Sequence, residues 1–426
     1  MKHYPLSRKI QELYRQGMED ETMEPLILCD GSENPVGRIK NGDYVIFYDI
    51  RGEREIELTR SLTERKFTEF KRVPEVTANF VTMIEYHRDL PVRVAFPPLT
   101  EIRDTLPEVV SKAGLTQLKI TESEKAIHLR YFFNGKRYDR FPGESDIIVE
   151  SPRTDDFSRI PELNISELTK TVIAQLNANH DVVFVNIPNV DIIGHIENRD
   201  AIIRAVRSVD SALGDIVSSA RKLGITSIIT ADHGTVEKWY YPDGSIDTGH
   251  TDSPVPFIIA GEYDGELRSE GSLIDVAPTV ADLLGIEKPG SWTGRSLLMD
   301  RSDPLDKLLF IILDGWGLGS PGDHNLIHVA NPENFKTIWA LYPHTELMAS
   351  GRYVGMPEGS VGNSEVGHLH LGAGRVIESD RVRIDRSIQD GSFRRNQAFL
   401  WAMNSAVIEG RDLHILGIIS FYSSHG

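Results

Sequence analysis

Cysteine is nearly missing from these 426 residues: Cys29 is the only one. A lone cysteine excludes an intrachain disulfide framework and a cysteine-ligated zinc site, and it suits a reducing cytoplasm. Long apolar runs are missing too. None reaches the roughly 20 residues of a membrane-spanning helix, and the opening Met1-Lys2-His3-Tyr4-Pro5 has no apolar signal core. Basic residues are scarce beside acidic ones, 46 Lys+Arg against 63 Asp+Glu, for a formal net charge of −17. That balance argues against nucleic acid as a partner. An anionic substrate then needs a local positive site of metal ions, arginine and lysine. Short repeats and low-complexity tracts are absent. The remainder, 40% hydrophobic and 26% charged, is the composition of a soluble globular protein, and the length predicts two domains.

Short apolar runs that end in polar residues recur along the chain. Tyr44 to Tyr48 leads to Arg51 and Arg54, Val182 to Asn186 to Asp191, Ile225 to Thr230 to Asp232-His233, and Leu308 to Leu313 to Asp314-Gly315. His414 to Ile419 leads to a serine-rich end. Runs this apolar predict strands buried on both faces. Between them lie helical patterns, such as Asp200 to Leu223 with apolar residues at three- and four-residue spacing. Alternating strand and helix predicts α/β with a largely parallel sheet, and ligands of such sheets bind at the carboxyl ends of strands. Asn134-Gly135 between two aromatic-rich runs predicts a β-hairpin over residues 128–141. Asn331-Pro332-Glu333 predicts a helix start. Residues 95–99 read as a linker and 301–305 as a second join.

Several residues carry metal-type chemistry. Asp191 and His195 lie four apart, on one face of a helical turn; the same spacing also arises on an ordinary solvated face. Asp232-His233 follows a buried strand, as ligands or as an N-cap aspartate beside a histidine. His250 precedes the strand pattern at Val255, and Asp314 is either a strand-end ligand or the start of an Asp-Gly turn. Mixed carboxylate and imidazole ligands suit manganese or zinc better than magnesium. Two such ions can orient a phosphate ester and sharpen a hydroxyl nucleophile. Phosphate monoesters demand that help, since their hydrolysis needs up to ~10²¹-fold acceleration. The candidate hydroxyl is Ser364 in Gly362-Asn363-Ser364-Glu365-Val366-Gly367-His368, a stretch that also suits a glycine-rich structural turn. Arg51, Arg54 and Lys125 are candidate anion binders, the arginines placed just beyond a buried strand.

Taken together, these strings resemble the cofactor-independent (2,3-bisphosphoglycerate-independent) phosphoglycerate mutases of the alkaline phosphatase superfamily. The resemblance rests on Ile312 to Gly317, Gly359 to His368, Gly372 to Arg375, Gly42 to Phe47, Glu122 to Lys125, Phe141 to Glu144, Asp191 to His195, Thr230 to Gly234 and Thr251 to Phe257, and so covers almost the whole chain. It implies Ser364 as a nucleophile that becomes phosphoserine. It implies Asp191, His195 and His250 as ligands of one manganese, and Asp314, Ser364, Asp232 and His233 as ligands of a second. Lys125, Arg51, Arg54 and His425 are the implied substrate binders. The implied reaction interconverts 3-phosphoglycerate and 2-phosphoglycerate without 2,3-bisphosphoglycerate, in a cytoplasmic chain with no nucleic-acid or membrane partner.

The chain departs from the family pattern in order and extent. Segments that open the family come last here, and part of the transferase domain is expected to be missing. The implied fold is α/β in two domains: an alkaline-phosphatase-like domain with a mostly parallel sheet flanked by helices (residues 98–300 and 301–378) and a smaller α/β transferase-like domain (1–97 and 379–426). Ser420 to Gly426 and Arg51 to Arg54 also differ from the family strings. Three readings follow: a mutase, acting as a monomer or with a complementing chain; a metal-dependent phosphatase or incomplete mutase that releases phosphate; and an inactive metal-binding remnant.

Overall fold

Runs of Val, Ile and Leu bury both faces of a strand, so they assemble into sheets covered on each side. The computed structural model describes residues 5–18, 23–50, 55–73, 75–99, 101–154, 156–241, 243–300 and 303–418. The chain divides into two α/β units, one of Met1–Pro98 with Ile384–Gly426 and the other of Leu99–Arg383. Among the described residues the strands are β1 (Tyr44–Phe47), β2 (Asn79–Ile84), β3 (Arg93–Phe96), β4 (Gln117–Glu122), β5 (Glu144–Val149), β6 (Val182–Ile187), β7 (Thr226–Thr230), β8 (Val255–Ala260), β9 (Gly271–Ser272), β10 (Leu308–Leu313), β11 (His344–Met348) and β12 (Leu413–Leu416). No helix among the described residues is long and apolar enough to cross a membrane.

The first unit has a four-stranded parallel sheet, β12-β1-β2-β3. The helix Gln397–Glu409 lays Phe399, Ala402 and Ala406 on it, and Trp401 packs edge-on to Tyr44 at 5.4 Å. The 95–99 linker is shorter than its composition suggests. Ala95 and Phe96 belong to β3, because Ala95 is buried and its carbonyl accepts the Asn396 side-chain amide at 2.7 Å.

The second unit has an eight-stranded sheet, β5-β4-β6-β10-β7-β8-β11-β9. Its pairs are parallel except where β8 runs against β7 and β11. The helices pack in two sets. Ile165–Leu176, Leu326–Ala330 and Glu333–Leu341 gather round Arg199–Lys222, while Leu106–Lys112, Val276–Leu283 and Ser364–Ala373 pack with one another. Arg199–Lys222 starts where its spacing predicts. Asn198 caps it by accepting the Ala201 amide at 3.0 Å, and one face from Ala201 to Ala220 is buried.

Two local expectations need correction. The Asn134-Gly135 hairpin does not form. Residues His128–Phe132 make a π-helical turn, and Gly135, at φ +76°, ends it by donating to the Phe132 carbonyl. Tertiary burial overrides the hairpin signal: Asn134 is buried, donates to Glu144 at 3.0 Å and accepts from the buried Lys119 ammonium, which also pairs with Glu144 at 2.8 Å. The helix start at Glu333 stands, but Asn331 is the left-handed C-cap of the preceding helix. The cap comes instead from Asp210, which accepts the Asn334 and Phe335 amides at 3.1 and 2.7 Å.

Candidate metal and nucleophile site

Three adjacent parallel strands, β6, β10 and β7, each lead at the carboxyl end to a carboxylate. Asp314 follows β10 directly, Asp232 comes two residues after β7, and Asp191 sits in the short helix Asn189–Gly194 after β6. Backbone bonds lock the β6 and β10 turns together, and the Gly315 amide reaches the third by donating to Asp232 Oδ1 at 3.3 Å. The Asp314 amide donates to the Ile187 carbonyl at 3.1 Å, and the Asp191 amide donates to the Asp314 carbonyl at 3.2 Å. All three side chains are buried. The His250 loop is pinned beside them, for the Thr251 amide donates to the Gly234 carbonyl at 3.0 Å and the Thr251 hydroxyl donates to the Glu237 carboxylate.

Ser364 opens the helix Ser364–Ala373. Asn363 is its N-cap, its side-chain oxygen accepting the Val366 amide at 2.9 Å. The positive start of the helix thus lies beside the carboxylates, with Ser364 at its first turn. Helix and strand end touch closely at Gly367, where a Cβ would lie 2.5 Å from the Asp232 carbonyl oxygen. Ser364 Oγ accepts a bond from Lys125 Nζ at 2.5 Å, lies 2.9 Å from His233 Nε2 and donates to Asp314 Oδ1 at 3.3 Å. Lys125 Nζ also donates to Asp191 Oδ2 at 2.6 Å and to Asp314 Oδ1 at 3.0 Å.

The geometry gathers two donor sets. In one, Asp191 Oδ1 lies 3.1 Å from His250 Nε2 and 3.4 Å from His195 Nε2, and the two imidazole nitrogens are 3.1 Å apart. In the other, His233 Nε2 lies 3.5 Å from Asp232 Oδ2 and 3.6 Å from Asp314 Oδ1. Asp191, His233 and His250, and likewise Asp232, His233 and Asp314, present ligand atoms close enough for one ion. The ring orientations fit. His195 Nδ1 meets the Thr248 carbonyl at 2.8 Å and His233 Nδ1 meets the Gly234 carbonyl at 3.1 Å. A carbonyl requires N–H on Nδ1, which leaves each Nε2 lone pair facing inward as a ligand. Asp232 Oδ2 is buried with no hydrogen-bond donor. His368 Nδ1 is 3.0 Å from that oxygen but also 2.9 Å from the Ser364 carbonyl. One N–H serves the carbonyl, so the carboxylate oxygen is left for a cation. These residues fit divalent metal ions.

The charges are strongly coupled. Burial pushes the Asp314 carboxyl up, and the neighbouring Asp232 adds to this, against the pull of Lys125. Burial also opposes ionisation of Asp191, but Lys125 and the adjacent His195 and His250 imidazoles outweigh it and hold that carboxyl well below the usual range. Burial works against the Lys125 ammonium, yet Asp314, Asp191 and Asp232 keep it charged. In this arrangement the ammonium lies against the oxygens a cation would use.

Of the residues singled out from the sequence, Ser364, Lys125, Asp191, His195, His250, Asp232, His233 and Asp314 converge within Leu99–Arg383. Arg51, Arg54 and His425 lie outside the described residues. Sequence reasoning missed Asn186, Thr121 and the part played by His368. Asn186 Nδ2 donates to Asp314 Oδ2 at 2.7 Å. The available signal was one amide inside an otherwise apolar run.

A family model described as the metalloenzyme superfamily matches residues 30–288 and 306–412. The chain is 37% identical over 296 residues to the 2,3-bisphosphoglycerate-independent phosphoglycerate mutase of Moorella thermoacetica, covering 69% of this chain and 57% of that protein. It is 37% identical over 292 residues to the corresponding mutase 1 of Methanosarcina acetivorans, covering 68% and 56%. A solved structure of Leishmania mexicana phosphoglycerate mutase at low cobalt concentration aligns with 28% identity and a TM-score of 0.46, over 70% of this chain and 58% of that one. The chain therefore spans little more than half the length of these mutases. With the family model matched across both α/β units, the chain belongs to the metalloenzyme superfamily.

Proposed function

We propose that this chain interconverts 3-phosphoglycerate and 2-phosphoglycerate through a phosphoserine at Ser364. The observation that carries the reading is the setting of Ser364 Oγ, at a helix N-terminus and in reach of Lys125 Nζ, His233 Nε2 and Asp314 Oδ1. Asp191, His195 and His250 would hold one divalent cation, and Asp232, His233, Asp314 and Ser364 the other; manganese suits these mixed ligands. When bound, the cations would polarise the phosphoryl oxygens and stabilise an alkoxide at Ser364. Ser364 Oγ attacks phosphorus, and the Oγ–P bond forms as the bond from phosphorus to the 3-oxygen of glycerate breaks. The serine proton lost is balanced by the proton gained on that leaving oxygen. Lys125 neutralises the phosphoryl oxygens. The 2-hydroxyl of glycerate then attacks the phosphoserine: its bond to phosphorus forms as the Oγ–P bond breaks, and its proton is balanced by the one regained on Ser364 Oγ. The serine carries the phosphoryl group, so no 2,3-bisphosphoglycerate is needed. Arg51, Arg54 and His425 are assigned to hold glycerate between the two steps.

A second reading is favoured by one observation: Ser364, Lys125 and all the candidate metal ligands lie within the single unit Leu99–Arg383. That unit holds what phosphoserine formation requires, and water can then release phosphate. The deciding assay supplies 3-phosphoglycerate and manganese and follows 2-phosphoglycerate and inorganic phosphate together. The mutase reading expects 2-phosphoglycerate to account for the substrate consumed and Ser364→Ala to abolish its formation. Phosphate equal to substrate lost, with no 2-phosphoglycerate, overturns it in favour of the phosphatase. Activity unchanged in Ser364→Ala overturns both.

A further inference from the structure

Behind the candidate ligands lies a row of polar groups. Asn186, on β6, has a fully buried side chain, as do Thr121 on β4 and His368 on the serine helix. The Thr121 hydroxyl donates to Asn186 Oδ1 at 3.1 Å, and the Asp314 carboxylate, which only accepts, turns the amide nitrogen toward itself. Both hydrogens of Asn186 Nδ2 then point toward the site, one to Asp314 Oδ2 at 2.7 Å and the other to His368 Nε2 at 3.0 Å. Because His368 Nε2 accepts, its proton must sit on Nδ1. There it faces the Ser364 carbonyl at 2.9 Å and Asp232 Oδ2 at 3.0 Å.

This row has a direction. A hydroxyl backs an amide, the amide engages one oxygen of Asp314 and sets the tautomer of a histidine, and the histidine steadies the first residue of the nucleophile helix. With Asp314 Oδ2 taken by Asn186, Oδ1 is the oxygen left facing Lys125 and Ser364. A carboxylate free to rotate would offer either oxygen, or both to one ion. We infer that Asn186 and His368 are positioning residues: together they select the Asp314 oxygen offered to a divalent cation and hold Ser364 beside it. The inference rests on the proposed metal-assisted reading of the same site, and it concerns groups that touch neither substrate nor cation.

A filler role and a positioning role differ in what they predict. A filler amide, once removed, lowers the melting temperature and nothing else. Losing a partner that orients a metal ligand typically weakens metal binding about 10- to 100-fold. The experiment titrates manganese into the whole chain by electron paramagnetic resonance and calorimetry, for wild type, Asn186→Leu, Asn186→Ser, His368→Leu and His368→Asn, with apo melting temperatures measured alongside. Wild type is expected to bind two ions. Asn186→Leu and His368→Leu are expected to weaken one of them by about 10- to 100-fold and to leave the ion at Asp191, His195 and His250 unchanged. His368→Asn places an N–H near the Nδ1 position and is expected to restore most of the lost affinity. If both leucine variants fold and bind two ions as wild type does, the inference is wrong while the metal-assisted reading stands. If the leucine variants fail to fold, Asn186→Ser decides: a folded Asn186→Ser with the ion at Asp232, His233 and Asp314 weakened and the ion at Asp191, His195 and His250 unchanged supports the role, and one with wild-type affinity for both ions overturns it. If wild type binds no manganese, the metal-assisted reading itself fails.

Discussion

Lys125→Met tests whether the ammonium is the built-in counter-ion of this site. In the structure it is the cation bonded to Asp191 Oδ2 at 2.6 Å and to Asp314 Oδ1 at 3.0 Å, with Asp232 also buried nearby. Methionine keeps most of the chain's bulk and removes the charge. Removing one partner of a buried ion pair costs about 3–5 kcal/mol, because the other charges stay buried and unpaired. Part of that cost is relieved here. Asp314 already has a raised pKa from burial and from Asp232, so it takes up a proton once Lys125 is gone. The lower end, about 3 kcal/mol, is therefore expected, or roughly 5 °C for a unit as long as Leu99–Arg383. Metal should reverse the loss. An ion at ~100 times its dissociation constant adds about 2.7 kcal/mol, and in the variant it need not first displace an ammonium from Asp314 Oδ1. Differential scanning calorimetry with chelator and then with saturating manganese measures both effects. The apo variant should melt well below apo wild type, and manganese should raise the melting temperature of the variant by more than that of wild type. Equal apo melting temperatures, or a larger manganese shift in wild type, would refute the counter-ion argument. Phosphoryl transfer should be lost in Lys125→Met even when metal restores its stability.

Two further perturbations follow from the same geometry. Burial pushes the Glu122 carboxyl up to about 7, against bonds from the Ser151 hydroxyl and the Asn164 amide. A raised folded-state pKa means this acid contributes stability below its unfolded value near 4.5 and loses it as pH rises through about 7. Glu122→Gln should therefore gain on wild type by ~1–3 kcal/mol between pH 5.5 and pH 8 in urea unfolding; a difference that does not change with pH would remove the burial argument. Gly367→Ala puts a methyl 2.5 Å from the Asp232 carbonyl oxygen and 2.7 Å from its Cβ, neither of which can step aside. It should cost ~1–3 kcal/mol and weaken manganese binding at the Asp232, His233 and Asp314 set, while an Ala variant with wild-type binding would show that this close approach is not needed.

Much of the site was legible because its chemistry sits where apolar runs stop. Asp191, Asp232 and Asp314 mark the ends of β6, β7 and β10, and those runs contain enough Val, Ile and Leu to be read as buried strands. What no run could disclose was the neighbour order. β10 lies between β6 and β7 although it follows them in the chain by many residues, and only that insertion brings Asp314 beside the other two carboxylates. The hairpin at Asn134-Gly135 failed because a local turn signal competes with burial: Asn134 is worth more bonded to Lys119 and Glu144 than in a two-residue turn. Asn186 was passed over because a single amide ending an apolar run looks like a strand end, while its role depends on partners 65 and 128 residues away. His368 lay inside the serine motif, yet nothing in the motif says that its ring would turn back on the Ser364 carbonyl.

The central claim is that Ser364 carries the phosphoryl group. Intact and peptide mass spectrometry of the chain, acid-quenched after mixing with 3-phosphoglycerate and manganese, tests it most directly. The account predicts one phosphoryl group, located on Ser364, absent with chelator and absent in Ser364→Ala. Turnover of 3-phosphoglycerate with no phosphoryl group on Ser364 at any quench time, and undiminished in Ser364→Ala, would contradict it.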